Sequence, residues 1–272
     1  MGAARLSIFC VTLAALLIEV GVTGAHRGAL PPMTGLVAFL LGSATAIVAA
    51  LVGLVGVVCT AAPACRPWRA EAAVGLALGL LISVPTGLPM WHWLSMGYPY
   101  INDITTNCDN PPSFVDPPGL SATSMKYDRA RLAPIQARYY PTLRALQLDE
   151  KPDDAFAKVE TAAGVAHFVS RQIANQKSAV GPGWSIVYID PATRTLEGVE
   201  TSYLFHFRDD FVIQVRPGAD ANSSLVEMRS RSRHGSSDFG VNYNRIRVFF
   251  GLLKPPGSSG VAVATERLPL PE

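Results

Sequence analysis

Hydrophobic and polar positions divide the chain into two stretches of different character. Between Arg27 and Arg66 no charged residue occurs across 38 positions, and none occurs between Glu71 and Asp103. A helix needs roughly 20 apolar residues to cross a bilayer, because every backbone amide must find its partner inside the helix. The pattern therefore predicts membrane-spanning helices over 33–60 and 72–94. Pro85 and Pro89 are expected to kink the second or end its regular part early. Trp91, Trp93, Tyr98 and Tyr100 then form an aromatic cluster of the kind found at a membrane–water boundary. The apolar run 6–22 admits two readings: a secretory signal, with Arg5 before the run and Thr23-Gly24-Ala25 as its cleavage site, or a retained helix, in which Glu19 near the end would sit at the interface. The retained helix is preferred, so 1–97 reads as three transmembrane helices, with two plus a signal as the alternative.

Beyond residue 97 the periodicity changes. Pro111, Pro112, Pro117 and Pro118 punctuate 98–127, which predicts an extended segment running over the surface. A short helix is expected over 128–136. A longer one starts after Pro152, with Asp153 and Asp154 in its first turn, where the helix dipole favours carboxylates. Phe156, Val159, Ala163, Ala166 and Val169 give it one apolar face, and Gly181-Pro182-Gly183 should end it. Four strands are predicted over 184–190, 195–207, 211–216 and 225–233. Short connections join them, among them a tight turn at Arg208-Asp209-Asp210, so they form an antiparallel meander. Ile246, Phe249, Phe250 and Leu253 make a packing stripe on a last helix near 240–253. The fold class that follows is a transmembrane helical region and an α+β two-layer domain over 98–254 with a four-stranded antiparallel meander. The proline- and glycine-rich tail 255–272 reads as disordered.

Charge sharpens the division. Residues 1–102 hold only Arg5, Glu19, Arg27, Arg66, Arg69 and Glu71, which leaves 19 basic and 19 acidic residues in the remainder. That balance excludes a globally basic nucleic-acid binder. Arg5, Arg66 and Arg69 mark one side of the membrane as cytoplasmic, and no Lys or Arg follows the third helix until Lys126. The polar domain is therefore expected on the periplasmic side of a bacterial inner membrane. Transport through the helices is disfavoured, because Glu19, Ser43, Thr45, Ser83 and Thr86 are their only polar groups of note. Gly42, Gly53, Gly56, Gly75 and Gly79 read instead as points of close helix packing. Cys108 is alone in the polar part, so it has no internal disulfide partner, and no metal-type spacing of ligands is present.

Candidate chemistry concentrates in 227–247. With a side-chain period of two, Arg229, Arg231 and Arg233 share one face of a strand with Glu227. The loop His234-Gly235-Ser236-Ser237 follows and leads into the last helix. Guanidinium forks and free helix N-terminal amides both suit carboxylate or phosphate. One reading is thus an anion site built from Arg229, Arg231, Arg233, Ser236 and Arg245. The other pairs the arginines across the sheet with Glu197, Glu200, Asp209 and Asp210, while Asp238 caps the helix. A catalytic trio of Ser236, His234 and Asp238 is available on residue types, yet neighbours this close in sequence rarely reach triad geometry. His167 and His206 have no metal-type companions and read as packing or surface residues.

Several separated motifs occur together: Asp103-Ile104-Thr105-Thr106, Asn110-Pro111-Pro112-Ser113-Phe114, Gly183-Trp184, Glu200-Thr201, Phe207 to Ile213, and Arg229 to Asn242. In that order they resemble the bacterial family known as domain of unknown function 1499, over about 98–254. The resemblance implies a domain boundary and an envelope location. It marks Asp103, Thr105, Glu200, Asp209, Asp210, Asp238 and Asn242 as motif positions, and it supplies no activity, cofactor or catalytic residue. Where members commonly carry a basic residue after Val-Ile, this chain has Gln214.

The expectation is a membrane-anchored, non-catalytic envelope protein without cofactor. Its domain would contact membrane lipid, an anionic envelope component or a membrane-protein partner. The alternatives are an envelope hydrolase or transferase with a site near His234 and Asp238, and a subunit of a membrane complex.

Overall fold

A computed structural model of the chain describes residues 2–60, 66–115, 125–175 and 183–254, with 66–67 and 165–175 as backbone only. Cys65, Pro117, Pro118, the Gly181-Pro182 pair and the tail 255–272 lie outside the described residues, as do the side chains of Ala166, His167 and Val169. The chain divides into two compact units: residues 1–95 with 204–206, and 96–203 with 207–272.

The first unit contains α1 (Gly2–His26), α2 (Pro32–Cys59) and α3 (Arg66–Ser95), three helices long and apolar enough to cross a membrane. The expected glycine contacts are present. A Cβ on Gly42 would lie 2.8 Å from the Ala14 carbonyl oxygen, on Gly53 2.5 Å from the Leu76 nitrogen, and on Gly79 2.6 Å from the Ala50 nitrogen. Gly56 and Gly75 are similarly closed in by Ala72 and Ser7. The helices approach backbone to backbone, which larger side chains would forbid. Of the two expected effects of Pro85 and Pro89, an early end does not occur: α3 runs on through both to Ser95. Each proline removes one amide donor, but no other backbone conformation satisfies the rest of the segment in an apolar medium.

The second unit is built on one six-stranded antiparallel sheet, so the four expected strands are two too few. Its strands are β1 (Asp103–Thr105), β2 (Leu146–Leu148), β3 (Ser185–Asp190), β4 (Thr195–Thr201), β5 (Arg208–Pro217) and β6 (Ser224–Ser232). The order is β1-β6-β5-β4-β3, with β2 also on β6, beside the half that β1 leaves vacant. Helices α4 (Arg129–Tyr139), α5 (Pro152–Asn175) and α6 (Val241–Leu253) complete the unit.

Register and alternation decide what each face buries. Phe211, Ile213 and Val215 of β5 join Val226 and Met228 of β6, Phe156 and Val159 of α5, and Ile246, Phe249 and Leu253 of α6 in one core. Trp184 stacks on Phe211 with ring centroids 4.0 Å apart, and Gly198 provides the space beside it. Val212 faces the other way, where it packs with Phe114 and Met125. The segment 98–127 is therefore no surface strand throughout: Ile101, Ile104, Phe114 and Met125 are buried. The tight turn also lies elsewhere. Arg208, Asp209 and Asp210 belong to β5, and the reversal occurs at 202–207, where the Ser202 amide donates to the Phe207 carbonyl and the Phe207 amide to the Ser202 hydroxyl.

Candidate functional site

The motif residues assemble around β6, on both of its faces. Asp103 of β1 lies directly opposite Arg231 of β6, and Thr105 opposite Arg229. Arg229 reaches along the strand to Asp103, and its Nε and Nη2 donate to the two carboxylate oxygens at 2.9 and 2.8 Å. The same guanidinium donates to the carbonyls of Pro112 and Met125 and lies over the rings of Phe114 and Tyr127. Both partners are almost fully buried, Arg229 at 2% and Asp103 at 3% exposure. A charge so placed is tolerable only when well partnered, and here each guanidinium nitrogen and both carboxylate oxygens have a hydrogen-bond partner.

Further ion pairs lie on this face. Arg233 makes a two-pronged contact with Asp210, 2.8 and 2.6 Å. Arg216 Nε lies 3.0 Å from Glu227 Oε2 but donates to the Gln214 side-chain oxygen, and Glu227 accepts from the Asn107 side-chain amide through its other oxygen. Glu197, expected opposite an arginine, instead accepts from the Val115 backbone amide. Arg231 is half-buried, with its Nε 4.0 Å from Asp103 and its Nη1 3.2 Å from the Met125 sulfur. Burial raises the Tyr127 hydroxyl well above the usual tyrosine range, reinforced by its hydrogen bond to Cys108. Cys108 is thus half-buried beside a phenol that holds on to its proton.

On the opposite face of β6, Arg245 of α6 gathers a second cluster. It donates to Glu200 at 2.5 Å, to Asp209 at 2.7 Å, to the Ser230 hydroxyl at 2.6 Å and to the Asn242 side-chain oxygen. Burial alone would lower this guanidinium, but Glu200 and Asp209 outweigh it and hold Arg245 above the usual arginine value. Asn242 closes the cluster, with its amide donating to the Ser232 hydroxyl and the Asn102 carbonyl. Asp238 caps α6, accepting from the amides of Gly240 and Asn242 at 2.9 Å each. Burial raises the Asp238 carboxyl and Asp209 adds to the rise, while the two cap amides and Arg245 oppose it.

The five residues considered for an anion site are therefore not gathered in one place. Arg229 and Arg231 lie on one face of β6, and Arg245 lies on the other, bound to Ser230. Arg229, Arg233 and Arg245 hold internal carboxylates. Ser236 and His234 are exposed in the loop, His234 edge-on to Phe207, and among the described residues no hydrogen bond joins either to Asp238. His206 is half-buried in the 202–207 turn with a φ of 56°. Among the described residues no group of His, Cys, Asp and Glu is arranged to hold a metal ion.

Gln136 is the partner that strand and motif reading missed. From α4 its side-chain oxygen accepts the Thr105 amide at 2.9 Å and its nitrogen donates back to the Thr105 carbonyl, so it fills the outer edge of β1. A glutamine on the helix that carries Leu132, Ile135 and Tyr139 gives no sequence signal of that role. A groove also lies apart from the motif residues, between 142–146 and α6, about 370 Å³ in volume. Leu143, Leu146, Tyr243 and Phe250 form its apolar lining, and Arg144, Arg247 and Lys254 stand around it.

Residues 103–253 match the family described as "Protein of unknown function (DUF1499)", and the chain belongs to that family. No curated protein and no solved structure matches it.

Proposed function

We propose that this DUF1499 protein is a multi-pass protein of the bacterial inner membrane whose sheet domain stands on the periplasmic side as a non-catalytic binding domain. Its occupant would be an anionic envelope component or a partner protein. One observation carries the reading: the ionisable groups of the motifs face one another. Asp103 meets Arg229, Asp210 meets Arg233, and Glu200 and Asp209 meet Arg245. Groups so matched stabilise a fold, whereas general acid–base chemistry needs a group left free to exchange a proton with substrate.

The placement rests on the basic residues. Arg5, Arg66 and Arg69 outnumber the single Arg27 of the opposite loop, which supports a periplasmic sheet domain whether α1 is retained or removed as a signal. Fusing alkaline phosphatase, and separately a green fluorescent reporter, after Lys254 tests it. Phosphatase activity with a dark fluorescent fusion is expected. A bright fluorescent fusion with inactive phosphatase would overturn the placement.

A further inference from the structure

We infer that the groove between 142–146 and α6 is a binding site for an organic anion, a phosphate or carboxylate group carried on an apolar body. The inference rests on the reading of this unit as a binding domain and gives that reading an address away from the motif residues. Three cations border the groove, Arg144, Arg247 and Lys254, and among the described residues no acidic residue does. Arg144 and Lys254 are exposed and have no ion pair among the described residues, and Arg247 lies over the Tyr243 ring, 5.5 Å from its centroid. Arg144 and Lys254 contrast with Arg229, Arg233 and Arg245, whose carboxylates are already in place.

The lining supplies the second half of the recognition. Tyr243 and Phe250 offer aromatic surface, Leu143 and Leu146 aliphatic surface, and the Thr142 hydroxyl is a further donor. The Tyr243 ring is held flat by Tyr140, stacked 4.2 Å beneath it at an interplanar angle of 10°. A volume of about 370 Å³ is at the small end for a ligand pocket, enough for one ring or a short chain with its head group. The C-terminus of α6 lies here too, and its dipole opposes an anion with about half a charge; three full positive charges outweigh it.

The probe is phenyl phosphate, with inorganic phosphate as the head alone and benzyl alcohol as the body alone. Each is titrated by calorimetry against the full chain in phosphatidylcholine nanodiscs. Phenyl phosphate is expected to bind more tightly than either fragment. The Arg144→Gln/Lys254→Gln variant, with both positions exposed and the melting temperature unchanged, should bind it at least about tenfold more weakly. Arg247→Gln should weaken it as well. Repeating the titration in discs containing phosphatidylglycerol separates two sources of the same chemistry. Weaker apparent affinity there assigns the groove to a lipid head group, and unchanged affinity assigns it to a soluble anion; both support the site. Equal binding by wild type and both variants overturns the groove while leaving the binding-domain reading intact. Absence of phenyl phosphate binding in every disc overturns the groove and removes the support it lends to that reading.

Discussion

Asp238 shows how one side chain can serve structure against its own ionisation. Its two oxygens cap α6, accepting from Gly240 and Asn242, but burial and the nearby Asp209 raise its pKa above the usual 3.8. A carboxyl with a raised folded pKa adds stability that is fully present below the unfolded value and is lost as pH rises through the folded one. The domain should therefore lose stability from near pH 4 upward through the elevated value, as Asp238 is forced to ionise. Asp238→Asn keeps an acceptor for one cap amide and removes the titration. Its melting temperature should fall less than that of the wild type across that window, whatever its starting level. A wild-type slope retained in the variant would remove Asp238 as the cause. From sequence, Asp238 was legible as a cap because an aspartate before a helical stripe is a strong start signal. Its burial was not legible, since that depends on the segment at Ile101, more than a hundred residues away, whose carbonyl accepts the Asp238 amide.

At the scale of elements, the long periodic segments were readable and the short ones were not. The stripe of α6 and the alternation of β5 each repeat often enough to declare a period, and both occur at the expected faces. Strand β1 has three residues, Asp103–Thr105, and all three are buried, so no alternation of polarity marks it. Its pairing with β6 is set by Arg229 and by Gln136 at its free edge, neither of which is local to it. Asp209 and Asp210 look like turn residues in isolation, yet partners on β6 and α6 hold them in a strand. Gly198 of β4 illustrates the packing that ties these elements together. A Cβ there would lie 2.1 Å from the Phe211 ring, which is itself wedged against Trp184. Moving that ring disturbs the centre of the core, so Gly198→Ala should cost about 1–3 kcal/mol or more. Near-ultraviolet circular dichroism, which reads the Trp184–Phe211–Phe249 stack, should show a lower melting temperature. An unchanged melt would mean that β4 can shift away from the ring without loss.

Across the whole chain, the polarity break between residues 102 and 103 and the order of motifs were visible in the sequence, and the family match covers the same region. What the motifs do was not visible, because a row of arginines looks the same whether it awaits an anion or already holds carboxylates. Only the register of β1, β5 and β6 distinguishes these cases, and it brings Asp103 and Asp210 to Arg229 and Arg233. This lattice, of which the Asp103–Arg229 pair is the most deeply buried part, holds the domain together. The direct test is a double-mutant cycle on that pair in the full chain, read as the urea midpoint at which Cys108, the one cysteine beyond residue 65, becomes open to a thiol label. Removing either partner strands a buried charge, so Asp103→Ala and Arg229→Ala should each lose about 3–5 kcal/mol, and the double variant should lose less than the two together. Single variants that unfold at the wild-type midpoint would contradict the account.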